Sequence, residues 1–170
     1  MAQIVLTGFM ATGKSRVGRR LAEVLGRTFV DTDSLVEAAA GRTVAQVFAA
    51  EGEAGFRARE RAAVEEACRV SDAVIATGGG TLVDPENRRR LMAAGAVVCL
   101  SASPQEILRR IPDAASRPLL ASANGDRLAR VEALLAERAA AYGSATHQVD
   151  TTGLSVDEVV ARVRALVAER

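Results

Sequence analysis

The sequence predicts a three-layer α/β/α fold in which a five-stranded parallel sheet carries helices on both faces. Three observations lead there. Five short, apolar, β-branched runs each pass into a segment with helical spacing, the alternation that builds parallel sheets covered on both sides. The first run meets a glycine-rich loop that opens directly into a helix. The 170 residues also suffice for one domain, residues 1–170, with a substantial core.

Residues 3–7 (Gln3-Ile4-Val5-Leu6-Thr7) read as a buried parallel strand. Gly8-Phe9-Met10-Ala11-Thr12-Gly13-Lys14-Ser15 follows and fits G-x-x-x-x-G-K-[ST], the phosphate-cradling P-loop. Val17, Leu21, Val24 and Leu25 then recur at helical spacing over 16–25, and Gly26 supplies a stop. Strand, glycine loop and helix together aim backbone N–H groups and the positive end of a helix dipole at a phosphate. In that geometry Lys14 reaches the outer phosphates and the Ser15 hydroxyl ligates Mg²⁺. Of the 22 lysines and arginines, Lys14 is the only lysine. A chain otherwise committed to arginine keeps its one compact ammonium in this loop, where a planar fork is a poor substitute.

The next strand, Thr28-Phe29-Val30, ends in Asp31-Thr32-Asp33, and a helix through Leu35 and Val36 runs to Gly41. Thr43 with Gln46 forms a capping box for a short helix ending near Gly52, and 56–70 is a charged amphipathic helix. Residues 73–77 are a strand running into Gly78-Gly79-Gly80. Asp84-Pro85 opens another helix, and 96–100 form the fourth strand. Ser103 and Glu106 read as a capping box for a helix that stops near Pro112. Residues 112–126 are polar and broken by proline and glycine, which in a P-loop kinase is the place of a lid. A long helix to Tyr142, a strand over 147–149, and a helix capped by Ser155 and Glu158 close the chain.

Composition removes several function classes. A net charge of +1 and a pI near 7.8 give no basic field for nucleic acid, and four Phe, one Tyr and no Trp leave few stacking platforms. No apolar run approaches membrane-spanning length and nothing resembles a signal peptide, so no membrane partner and a cytoplasmic location are expected. Cys68 and Cys99 sit in apolar surroundings and read as buried thiols. A guanine-specifying Asn-Lys-x-Asp motif is impossible with a single lysine, which excludes a GTPase switch.

Strands three and four lack the acid that AAA and ABC-type ATPases carry. Paired acids at a strand's carboxyl end occur in Asp31 and Asp33, one suited to hold Mg²⁺ through water and the other to face a phosphoryl acceptor as a base. Capping of the helix beginning at Ser34 is the alternative for Asp33. Arg57 and Glu60 lie three apart on one helix face, where Glu60 can hold Arg57, but among Arg59, Arg61, Glu65 and Glu66 the spacing alone reads as a solvated charged face. The three glycines after a strand expose N–H groups and allow close ligand approach. Arg117, in the expected lid, suits closure over a transferring phosphate, and His147 reads as structural.

Taken together, these features resemble the shikimate kinases along essentially the whole chain. The resemblance is carried by the P-loop, Asp31-Thr32-Asp33, Arg57-x-x-Glu60 leading to Gly78-Gly79-Gly80, and Arg117-Pro118-Leu119-Leu120 ahead of Arg138-x-x-x-Tyr142. It implies a nucleoside-monophosphate-kinase-like P-loop kinase fold and transfer of the ATP γ-phosphate to the 3-hydroxyl of shikimate, a step of aromatic amino-acid (chorismate) biosynthesis. By that likeness Ala11, Thr12, Gly13, Lys14, Ser15 and Arg16 bind ATP, with Lys14, Ser15 and Asp31 serving phosphate and Mg²⁺. Asp33 contacts the shikimate hydroxyls and acts as base. Arg57, Arg138, Gly79 and Gly80 hold its carboxylate, helices over about 33–60 frame the acceptor, Arg110 lies against adenine, and Arg117 is the lid arginine. A monomer is expected.

Two departures stand out. Arg16 occupies the place of the family's usual threonine, so a hydroxyl contact to the α-phosphate is lost while the backbone N–H remains, and 151–154 lacks the long polar side chain often found beside adenine. The competing readings are a gluconate kinase-like or nucleoside-monophosphate-kinase-like enzyme, and a non-catalytic kinase-like binding domain.

Overall fold

Period-two alternation in the strands decides the layers of this computed structural model, which describes residues 2–111, 120 and 126–168. Its elements run β1 (Gln3–Gly8), α1 (Lys14–Leu25), β2 (Thr28–Asp31), α2 (Thr32–Ala40), α3 (Val44–Arg69), β3 (Ala73–Ala76), α4 (Pro85–Ala94), β4 (Gly95–Ser101), α5 (Pro104–Arg110), α6 (Arg127–Gly143), β5 (His147–Asp150) and α7 (Val156–Ala168). Ile4 and Leu6 of β1 share one core cluster with Val17 and Leu21 of α1 and Val159, Val160 and Val163 of α7. Val5, between them, belongs to the opposite cluster with Val64 and Ala67 of α3 and Leu91 of α4. Each such side chain contributes about 1.5–3 kcal/mol on burial, so a one-residue slip of β1 would forfeit both layers together.

The sheet order is β2-β3-β1-β4-β5 with every pair parallel. β1 lies at the centre, its chain leaving toward β2 on one side while β3 to β4 crosses to the other. A crevice at the carboxyl end of β1 follows from that reversal, and it is where the P-loop sits. The expected 112–126 segment falls largely on residues 112–119 and 121–125, which with Arg117 lie outside the described residues.

The structure refines several expectations. α1 begins at Lys14, two residues early, and a short 3₁₀ turn, Thr81–Val83, follows the glycines. The two helices expected around Gly52 are joined directly as α3, bent where Gly52 adopts φ 68° and ψ −175°. Thr43 with Gln46 and Ser155 with Glu158 form full capping boxes. Ser103 forms only half of one: its hydroxyl accepts from Glu106 N at 3.2 Å, but its own N–H donates to Thr152 Oγ1 at 3.1 Å. The Glu106 carboxylate is taken instead by Arg109 and Arg110. Cys99 is buried and Cys68 half-buried, both as free thiols, and burial pushes the Cys99 thiol up to about 11 against the opposing charge of Lys14.

A candidate nucleotide and acceptor site

The P-loop braces itself on one carbonyl. Thr12 Oγ1 and Lys14 Nζ donate to the Phe9 oxygen at 2.8 and 2.7 Å, while the Phe9 ring is buried beneath. Gly13 is the N-cap of α1 and offers no side-chain acceptor, so the first-turn N–H groups are presented to an anion rather than satisfied by a cap. Ser15 Oγ donates to Asp31 Oδ2 at 2.6 Å, which brings the two expected metal-side groups together across α1 and β2.

Asp31 rather than Asp33 caps α2. Its Oδ1 accepts from Asp33 N at 3.0 Å and Ser34 N at 3.3 Å, so capping falls to the residue two positions earlier and α2 starts at Thr32. The two acids thereby separate: Asp31 turns one oxygen to the helix and the other to Ser15, and Asp33 lines a different pocket.

On one side of the P-loop, Ala11, Thr12, Gly13 and Arg16 line a cleft closed by Arg110 and by Thr151, Gly153 and Leu154 of the loop after β5. Arg110 ties the walls together, donating from Nη1 to Ala11 O and Thr151 Oγ1, both at 3.1 Å, and from Nη2 to Thr151 O at 3.2 Å. Glu106 fixes its Nε at 2.9 Å, and hydrogen bonds from Arg109 first and Arg110 second hold the Glu106 carboxyl down at about 2.

On the other side, Met10 joins Asp33, Arg57, Glu60, Gly78, Gly79, Gly80 and Arg138 around a second pocket, whose apolar wall is Val44, Phe48 and Phe56. Met10 and Ala11 are chain neighbours, so the P-loop is the shared wall of both cavities. The charged-face reading of Arg57 and Glu60 is corrected here. Glu60 is fully buried, accepting from Arg57 Nη1 at 2.8 Å and Thr81 Oγ1 at 2.7 Å. Burial alone lowers the Arg57 pKa, but Glu60 and Glu53 outweigh it and fix the charge. Arg57 also lies over the Phe56 ring at 5.2 Å, and Arg138 over Phe9 at 5.4 Å.

The glycines are required by contact. A Cβ on Gly80 would stand 2.5 Å from Arg57 Nη2, and one on Gly78 would stand 2.9 Å from Glu60 Oε1. Any larger residue would push the guanidinium and its carboxylate out of place.

Sequence reasoning left Glu60 and Tyr142 out of the site residues. Glu60 was hidden by its charged neighbours, although the Arg-x-x-Glu spacing contains the pair. Tyr142 is four residues after Arg138 on one helix face, and its hydroxyl donates to Gly79 O at 2.5 Å. Burial pushes its pKa from 10.0 up to about 12. As the sole tyrosine, it should ionise in the folded protein near that raised value when followed by phenolate absorbance. Because the folded pKa lies above the unfolded one, its share of stability is complete below pH 10 and is lost as pH climbs toward 12. Titration at the ordinary value in the folded protein would mean that this hydroxyl is solvated.

A family model described as shikimate kinase matches residues 10–168. The shikimate kinase of Symbiobacterium thermophilum is 48% identical over 170 residues, 98% of this chain and 97% of that protein. That of Pelotomaculum thermopropionicum is 45% identical over 163 residues, 96% and 94% of the two chains. Among solved structures, Acinetobacter baumannii shikimate kinase in complex with shikimate superposes with a TM-score of 0.94 at 34% identity, covering 99% of this chain and 94% of that one.

Proposed function

The chain belongs to the shikimate kinase family, and from that premise we propose which residues carry its reaction. It transfers the γ-phosphate of ATP to the 3-hydroxyl of shikimate. The observation that carries this reading at the level of the site is a pocket lined by the Asp33 carboxylate and by the Arg57 and Arg138 guanidinium groups, sharing the P-loop wall with a nucleotide cleft. That is the charge pattern an acidic polyol needs if its hydroxyl is to face the phosphoryl donor while its carboxylate is held away.

We assign ATP to the cleft of Ala11, Thr12, Gly13 and the first turn of α1, with adenine against Arg110. Lys14 stabilises charge on the outer phosphates. Asp33 orients the acceptor hydroxyl and takes its proton, and Arg57, Arg138 and the Gly79–Gly80 backbone grip the carboxylate. Arg117, assigned from its place in the sequence, meets the transferring phosphoryl group. The hydroxyl and carboxylate oxygen 2.6 Å apart at Ser15 and Asp31 are hard oxygen donors of the kind Mg²⁺ takes with nucleotide phosphates and water, so the residues fit that ion. When bound, Mg²⁺ neutralises phosphate charge and templates the outer phosphates.

The whole chain acts as one kinase domain, monomeric and cytoplasmic in this reading. Among the described residues, no helix is long and apolar enough to cross a membrane. Gluconate kinase-like and non-catalytic readings have less support, because the full-length likeness is to shikimate kinases.

ADP production measured with shikimate, gluconate and nucleoside monophosphates tests the acceptor: only shikimate should support turnover, and equal turnover with another acceptor would overturn the reading. Arg57→Ala and Arg138→Ala should each weaken shikimate about ten- to a hundredfold, the cost of a charge-assisted contact of about 1.5–3 kcal/mol, with little change for ATP. Equal losses for both substrates would return these arginines to a structural role.

A further inference from the structure

Arg16 is the third residue of α1, after Lys14 and Ser15, with Gly13 as the cap. Helical Cα–Cβ bonds tilt toward the N-terminus and long side chains lean over the preceding turn, which puts the phosphate cradle within reach of this guanidinium, while the same residue also borders a groove along α1 with Arg19, Arg20 and Asp157. It is exposed and lines the nucleotide cleft beside Ala11, Thr12 and Gly13. Its charge is also uncommitted, having no ion pair among the described residues, in contrast to the other arginines nearby.

Arg20 is held by Asp157 at 2.8 Å and by Glu23 at 3.3 Å. Arg19 lies over the Phe29 ring at 5.5 Å, and Arg109 and Arg110 share Glu106. The two acids that line the cleft, Glu106 and Asp157, are therefore both taken by arginines other than Arg16. Arg16 is thus the guanidinium beside the cradle that shares no carboxylate among the described residues.

We propose that the Arg16 side chain is a nucleotide-affinity residue whose guanidinium binds the α-phosphate, the one joined to the ribose. Lys14 and Ser15 are engaged with the outer phosphates, and the loop N–H groups hold α and β from beneath. The phosphate still in need of charge is the one nearest the next residue of the helix. The inference rests on the nucleotide assignment made above and extends it to a side chain. Because the α-phosphate is common to substrate and product nucleotide, Arg16 tightens ATP and ADP alike, and so makes the enzyme more sensitive to product without accelerating the transfer itself.

The test is calorimetric titration of the full chain, and of its Arg16→Gln and Arg16→Lys variants, with adenosine, AMP, ADP and ATP at low and high salt. Arg16→Gln should weaken AMP, ADP and ATP by a similar factor, about three- to tenfold at low salt. Adenosine and shikimate should be unaffected, the difference should shrink at high salt, and Arg16→Lys should restore part of it. Arg16→Gln affinities for AMP and ADP equal to the unsubstituted chain would overturn the inference alone, as would an equal loss for adenosine. An unsubstituted chain that prefers adenosine to ADP would overturn the nucleotide assignment and the inference with it.

Discussion

Lys14→Met is expected to lower kcat by at least about a hundredfold while leaving the fold intact. The Lys14 ammonium rests on the Phe9 carbonyl at 2.7 Å, and losing that bond costs stability only about 1 kcal/mol. What disappears is a preorganised charge aimed where negative charge gathers on the outer phosphates. Lys14→Arg should fare little better, because a planar fork cannot occupy the place of a compact ammonium inside a loop braced this closely. Thermal unfolding and ADP release, measured on the same preparations, separate the two effects. Near-normal turnover in either variant would remove the P-loop from the mechanism, and a collapsed melting temperature would mean that Lys14 holds the fold.

Much of this architecture is legible in the chain because strand burial and turn chemistry are local. The run 3–7 is apolar because β1 is covered on both faces by partners that lie far along the sequence, and Gly26 and Gly41 end their helices through backbone geometry alone. The placement of the candidate site was legible where a residue's position follows from its own local sequence, as with Lys14, Ser15 and the glycines. It was not legible where role depends on a partner across the fold. Glu60 reads as one charge in a crowd until Thr81, 21 residues on, is found bonded to it inside the protein. Ser103 and Glu106 have the spelling of a capping box, yet arginines and Thr152 compete successfully for the same atoms. Asp31 and Asp33 look interchangeable at two residues' separation, and only the start of α2 decides which one caps it.

That decision is what makes Asp33→Asn the second large effect. With Asp31 occupied at the cap and at Ser15, the carboxylate facing the acceptor pocket is that of Asp33, close enough to Gly78 that a Cβ there would meet its Oδ1 at 3.1 Å. A carboxylate in this place accepts the acceptor proton as the phosphoryl group arrives, whereas an amide of the same shape can orient a hydroxyl but cannot take its proton. Asp33→Asn should therefore lower kcat by about a hundred- to ten-thousandfold, with a much smaller rise in the shikimate KM. Stability should change by less than about 1 kcal/mol, the worth of a negative charge in a first helical turn. The KM-against-kcat split is the decisive reading. A variant with normal kcat and only weakened shikimate would make Asp33 a binding group, and would leave the hydroxyl proton to the phosphate itself.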